Sequence, residues 1–194
     1  VKIKETHISH TGIINTGRYA LFIELSNNGV FVESKMLMEQ AMFFSYIVLL
    51  GKPFEQNDEV SKFCKKLIKE KPDIKIEFNT PGMIRPIGLN FLDSIIYNVY
   101  LQLKICGINY KQRINASIIN WFNEIGANFI FNIHIDDEVD EVNMIVQDNN
   151  ISRKNVYLTF TNSEQLEQVR KWAKINKYNF APDFKNLLWN TDGK

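Results

Sequence analysis

Residues 17–35 read GRYALFIELSNNGVFVESK, and the reading of this stretch decides the fold. Ala20, Leu21, Phe22, Ile23 and Leu25 form an apolar run of strand length, and Asn27, Asn28 and Gly29 punctuate its end. This is the pattern of a buried core strand that runs into an irregular loop. In α/β proteins, ligands gather at the loops beyond the carboxyl ends of core strands. Yet the loop supplies Asn28, Val32, Glu33, Ser34 and Lys35, with no Cys, His or Asp. A place built like a site carries residues of little reactivity.

Working outward, similar apolar runs recur at Tyr46–Leu50, Ile74–Phe78, within Ser94–Leu103, at Phe129–Ile135 and at Val156–Phe160. Between them the apolar period lengthens to that of helices. Val60, Phe63, Cys64, Leu67 and Ile68 mark one helix over about 58–71, and Ile118, Trp121, Phe122 and Ile125 another over 115–125, closed by Gly126. Val139, Val142, Ile145 and Val146 mark a third. Leu166, Val169 and Ala173 mark a fourth, capped by Thr161 or Asn162. Met36–Ser45 (MLMEQAMFFS) reads as a short helix whose Met and Phe residues suit either core packing or an exposed contact face. Val1–Glu5 adds a lead-in strand. The alternation predicts one α/β domain over residues 1–194: a partial, open β/α barrel with a mostly parallel six-stranded sheet, outer helices and a reduced first helix. The chain is too short for a closed eight-stranded barrel.

Composition narrows the function classes. At 194 residues the chain can bury a real core, and a net charge of +1 gives no electrostatic reason to expect nucleic acid or an anionic membrane. Lys62, Lys65, Lys66 and Lys69 lack interleaved aromatics and read as a solvated helix face. No apolar run is long enough to span a bilayer, and the polar start VKIKETHISH is unlike a signal peptide. Cys64 and Cys106 stand far apart in apolar settings, as buried free thiols in a reducing cytoplasm would. His7 and His10 have a spacing that can hold a metal on a helix, but without a third ligand they read as exposed histidines. Asp136, Asp137 and Glu138 suit a helix N-terminus, with a divalent-metal site as the lesser alternative. The richness in Asn, Ile and Lys points to AT-rich coding, as in some bacteria and phages.

Four stretches, in order and around the expected strands, carry a resemblance. They are Thr16-Gly17-Arg18 with Ala20 and Phe22; Lys104, Gly107, Ile108 and Tyr110 with Arg113 and Ile114; Ile151, Arg153, Val156, Tyr157 and Leu158; and Phe180, Pro182, Leu187, Leu188 and Trp189. Over nearly its full length the chain resembles the 7-carboxy-7-deazaguanine synthases, the QueE-type radical SAM enzymes. That family rearranges carboxytetrahydropterin with a [4Fe–4S] cluster, S-adenosylmethionine and Mg²⁺, usually as homodimers. The resemblance sets the family's CxxxCxxC on Asn28, Val32 and Lys35, and the residue after it on Met36. It sets the Gly-rich cofactor turn on Leu49, Leu50, Gly51, Lys52 and Pro53. The family's QGEG falls on His10, Thr11, Gly12 and Ile13, and its SPK on Tyr100, Leu101 and Gln102. No thiolate remains to hold iron. Arg18, Glu77 and Asn79 match pocket positions and are the candidate ligand contacts, although a carboxylate partner for Arg18 and a turn cap at Asn79 would explain them structurally.

The expectation is therefore a non-catalytic QueE-like scaffold with no catalytic residue, no metal and no cofactor. It would act as a protein-binding, regulatory or structural factor, as a homodimer with a further protein partner and without nucleic acid or membrane. The alternative is a binder of a pterin- or 7-deazaguanine-like small molecule, or an altered enzyme, using Arg18, Glu77 and Asn79. An apolar, filled pocket favours the first; an open polar pocket around Arg18 favours the second.

Overall fold

The computed structural model describes residues 1–11, 15, 17–89, 93–104, 107, 109–160 and 162–181. Nine strands stand in the order β3-β1-β2-β4-β5-β6-β7-β8-β9, and the sheet does not close on itself. They are β1 (Lys2–His10), β2 (Tyr19–Leu25), β3 (Val30–Phe31), β4 (Tyr46–Gly51), β5 (Lys75–Thr80), β6 (Ile95–Tyr100), β7 (Asn128–Asn132), β8 (Val156–Thr159) and β9 (Asn179–Phe180). Strands β2, β4 and β5 pair parallel, as do β7, β8 and β9, whereas β1 runs antiparallel to β2 and β3.

The six strands expected from sequence are the run β2-β4-β5-β6-β7-β8. The count of six is corrected to nine by β1, β3 and β9. The lead-in strand runs to His10, five residues past its expected end at Glu5, because its whole length pairs with β2, from Ile3 opposite Leu25 to His10 opposite Tyr19. Its own residues KIKETHISH are too polar to announce this. The HxxH spacing thus lies on a strand, where residues three apart point to opposite faces. His7 stacks on Phe22 with ring centroids 5.0 Å apart, and His10 tilts against Tyr19 at 5.6 Å.

The helices are α1 (Ser34–Ala41), α2 (Asn57–Glu70), α3 (Tyr110–Arg113), α4 (Ala116–Glu124), α5 (Asp137–Asp148) and α6 (Leu166–Asn176). No helix among the described residues is long and apolar enough to cross a membrane. The chain divides into two compact units, one of residues 1–10, 18–80 and 84–98, the other of residues 11–17, 81–83 and 99–194.

In the first unit the period of two separates two faces. Leu21, Ile23, Leu25, Ile47, Leu49, Ile76 and Phe78 are all buried on one. Phe54, in a short 3₁₀ turn before α2, packs its ring 5.1 Å from Phe78. The opposite face carries Ala20, Phe22, Tyr46 and Val48, a buried cluster with Leu50 and Ile96 packed against it. Helix α1 has eight residues against fourteen in α2, in keeping with a reduced first helix. It buries Leu37, Met38 and Ala41 but leaves Met36 exposed, and Phe43 just beyond it is 87% exposed. The MLMEQAMFFS segment therefore serves both purposes: core on one side, exposed Met and Phe on the other.

In the second unit Phe129, Phe131, Val156 and Leu158 share one buried face of β7 and β8. Asn115 caps α4 by accepting a hydrogen bond from the Ile118 N–H at 3.4 Å, and Gly126 follows the helix at φ +75°. Asn162 caps the 3₁₀ turn before α6 by accepting from the Glu164 N–H at 3.0 Å; Thr161 lies outside the described residues. Cys64 is fully buried in α2, where burial pushes its thiol well above the ordinary range. Cys106 lies outside the described residues, as do Gly12, Ile13, Thr16, Ile108, Pro182, Leu187, Leu188 and Trp189.

Candidate functional site

In a parallel pair, register partners share a sheet face. Val48 of β4 stands opposite Glu77 of β5, so Glu77 and Asn79 fall on the face that carries Tyr46 and Val48. This places a carboxyl group, 5% exposed, beside an apolar cluster. It is held by hydrogen bonds. The Tyr46 hydroxyl donates to Glu77 Oε2 at 2.7 Å, and the Asn98 and Asn79 side chains also bond the carboxyl. Asn98 Nδ2 in turn donates to Asn79 Oδ1 at 3.1 Å. Burial pushes the Glu77 pKa up to about 7; the three hydrogen bonds pull the other way but do not cancel it. Arg18 stands exposed just before β2, with its guanidinium 5.8 Å from the centre of the Tyr46 ring.

The three residues named from sequence as ligand contacts thus belong to one network, Arg18–Tyr46–Glu77–Asn98–Asn79. Asn79 bonds Asn98 and Glu77 and does not serve as a turn cap. Tyr46 and Asn98 were missed. The signal available was a polar residue breaking an apolar strand, as Asn98 does in IIYNVY and Glu77 in IKIEFN.

The positions matched to the cluster cysteines lie elsewhere in the same unit. Asn28 sits in the turn after β2, its N–H bonded to Ser26 Oγ at 3.3 Å. Val32 follows β3, its N–H bonded to the Val1 carbonyl at 2.9 Å, and Lys35 is exposed in the first turn of α1. A carboxamide, an isopropyl group and an ammonium do not fit an iron–sulfur cluster, which takes thiolate or imidazole ligands. Among the described residues, no three His, Cys, Asp or Glu side chains come together as a metal site.

The positions matched to the cofactor turn have structural reasons of their own. Gly51 has φ +84°, and a Cβ there would stand 2.4 Å from the Leu25 carbonyl oxygen, so the turn demands glycine without any cofactor. Lys52 lies 2.9 Å from Glu55, whose other oxygen accepts from Asn27 Nδ2 at 2.6 Å. Glu55 therefore ties the loop after β2 to the turn after β4. Pro53 is buried at the start of the 3₁₀ turn, and Leu50 is half-buried against the Tyr46–Val48 cluster. Of the other positions matched to family motifs, His10 ends β1, Thr11 is buried, Tyr100 ends β6 and Leu101 is buried.

A cavity of about 960 Å³ opens in the second unit, lined by Lys104, Tyr110, Arg113, Ile135, Glu138 and Glu141 among others. None of the candidate contacts Arg18, Glu77 and Asn79 lines it. Sequence reasoning singled out Lys104, Gly107, Tyr110, Arg113, Asp137 and Glu138 separately but did not bring them together, because the walls come from helices α3 and α5 and the loops before them.

The strand order, the parallel pairing and the helices define an open, partial β/α barrel. Among solved structures the chain is similar to QueE from Escherichia coli, with a TM-score of 0.67 at 12% identity over 93% of this chain and 92% of that one. It is also similar to SuiB from Streptococcus suis, with a TM-score of 0.56 at 16% identity over 80% of this chain and 44% of that one. At these identities the likeness is one of fold alone. No family model matches the chain. By sequence, residues of the small ribosomal subunit protein uS7 from Borreliella afzelii (strain PKo) are 23% identical over 110 positions, 53% of this chain and 69% of that one, which does not assign a family.

Proposed function

We propose that this chain is a QueE-like scaffold without radical chemistry, serving as a protein-binding, regulatory or structural factor. The carrying observation is the donor set at positions 28, 32 and 35. Asn28, Val32 and Lys35 cannot replace the three thiolates that the QueE resemblance would require there. The apolar part of the sheet face that carries Glu77 supports the same reading. Ala20, Phe22, Tyr46 and Val48 form a buried cluster there, with Leu50 and Ile96 packed against it.

After anaerobic reconstitution with iron and sulfide, we expect far less than one cluster per chain, and calorimetry with millimolar S-adenosylmethionine should give no saturable heat. Without iron the cofactor loses its metal ligation, and Leu50 places a side chain where a Gly-rich turn would let it approach. Lys52 adds less repulsion than a lone lysine would, since Glu55 lies 2.9 Å from its ammonium. A stoichiometric cluster would overturn the proposal. Cofactor binding tighter than about 100 µM, roughly −5.5 kcal/mol, would favour the second reading.

That second reading, a binder of a pterin- or 7-deazaguanine-like molecule, draws on the polar network around Glu77. It has Arg18, Glu77 and Asn79 as contacts, now with Tyr46 and Asn98. We further propose a homodimer. Light scattering should give the mass of two chains, and a monomer at micromolar concentration would count against it. The exposed Met36 and Phe43 are the surface we would offer to a further protein partner, and crosslinking from photoreactive residues at those two positions in the native host tests that choice.

A further inference from the structure

Five of the six residues from Asp136 to Glu141 are acidic, and the sequence assigns the first three, Asp136, Asp137 and Glu138, to the dipole of α5, with a divalent-metal site as the lesser alternative. The structure adds something the dipole does not explain. Three side chains are each pinned by one polar atom to the same residue, His134. Asn132 Nδ2 lies 3.3 Å from His134 Nε2. Gln165 Nε2 donates to the His134 carbonyl at 2.6 Å. Glu138 Oε2 accepts from the His134 N–H at 2.6 Å and from the Ile135 N–H at 3.2 Å. In each case the remaining polar atom of the side chain, an oxygen, is buried and has no hydrogen-bond partner: Asn132 Oδ1, Gln165 Oε1 and Glu138 Oε1. A fourth, Thr159 Oγ1, is in the same condition, and Thr159 is the register partner of Asn132 across β7 and β8.

Glu138 and Thr159 are each only 3% exposed. A buried oxygen without a partner is costly, more so if charged, so three beside His134 and a fourth at the register position next to Asn132 call for an occupant. The oxygens are one carboxylate, two amide carbonyls and one hydroxyl. This is a hard, oxygen-only donor set with a single formal charge, in the negative field of Asp136, Asp137 and Asp140; Glu141 is neutralised by its pair with Arg113. Such a set suits a large, flexibly coordinated cation better than Mg²⁺, which demands near-octahedral geometry and gives up water reluctantly. Zinc and iron prefer nitrogen and sulfur.

We propose that Asn132, Glu138, Thr159 and Gln165 form a cation site of the calcium type at the ends of β7 and β8. The ion bridges the strand ends to the first turn of α5 and to the turn before α6. Glu138 also borders the cavity of the second unit, which gives a hydrated ion a route of approach. The site is separate from the cluster and cofactor positions, and does not depend on the proposed function.

The experiment uses the full chain, stripped with chelator and titrated with CaCl₂ by calorimetry, with MgCl₂ and KCl in parallel. We expect one Ca²⁺ per chain with a dissociation constant of about 0.1–1 mM, as in weak sites with few charges, and a rise in melting temperature. Thr159→Val removes an unpartnered hydroxyl, so the ion-free variant should fold at least as stably, yet bind at least about tenfold more weakly. Glu138→Gln, checked by circular dichroism, should lose binding as well. Full affinity in Thr159→Val would overturn the site. Absence of saturable Ca²⁺ binding up to about 10 mM would overturn it too and leave buried water as the occupant. Tighter binding of Mg²⁺ than of Ca²⁺ would overturn the assignment to a large cation.

Discussion

Glu77→Gln should flatten part of the pH dependence of stability. Burial raises the folded-state pKa of Glu77 to about 7 from an ordinary 4.5. The folded chain therefore holds this proton at pH values where the unfolded chain has released it. The contribution of Glu77 to stability is fully present below about pH 4.5, is lost as pH rises toward 7, and levels off above it. The difference corresponds to on the order of 3 kcal/mol, or of order 10 °C in melting temperature for a chain of this size. Glutamine mimics the protonated carboxyl. Its carbonyl can accept from the Tyr46 hydroxyl, and it carries no charge to desolvate. Chemical denaturation of wild type and variant at pH 5, 6, 7 and 8 reads the slope. Wild type and Glu77→Gln showing the same slope would mean that the carboxyl is hydrated and not buried among Tyr46, Asn79 and Asn98.

Glu141→Ala should destabilise the chain by roughly 3–5 kcal/mol, because it strands a buried charge. The Arg113 side chain is 3% exposed and pairs with Glu141, itself 12% exposed. Arg113 also donates to the Gln102 carbonyl at 2.8 Å and stacks on Tyr110, while Glu141 accepts from the Lys104 N–H. One carboxylate thus fixes the loop before α3 to the middle of α5. The double variant Arg113→Met with Glu141→Leu should lose much less than the single one, since it leaves no unpaired ion. Urea midpoints at constant m-value measure both. A loss below about 1 kcal/mol for Glu141→Ala would place the pair among solvated surface bridges.

The sequence by itself determined the elements and their faces. Apolar spacing is a local property, so the short continuous apolar run in ALFIEL and the period near 3.6 in VSKFCKKLI could be read without knowing any partner. The core helices and the six central strands follow from it; the lack of thiolates at 28, 32 and 35 is read from the residues themselves at the positions the resemblance points to. Tertiary structure decided the rest, because the rest is long-range. Strand β1 is too polar to declare its length and owes it to pairing with β2. Tyr46 and Glu77 are 31 residues apart and meet only because β4 and β5 pair in register. Burial of that carboxyl, and hence its raised pKa, is set by neighbours from three strands. The same holds at His134, where Asn132 and Glu138 are near in sequence but Gln165 arrives from 31 residues away. Hydrogen bonding uses up one atom of each of these side chains. Which oxygens are then left buried and unpaired depends on packing geometry, which residue spacing does not encode.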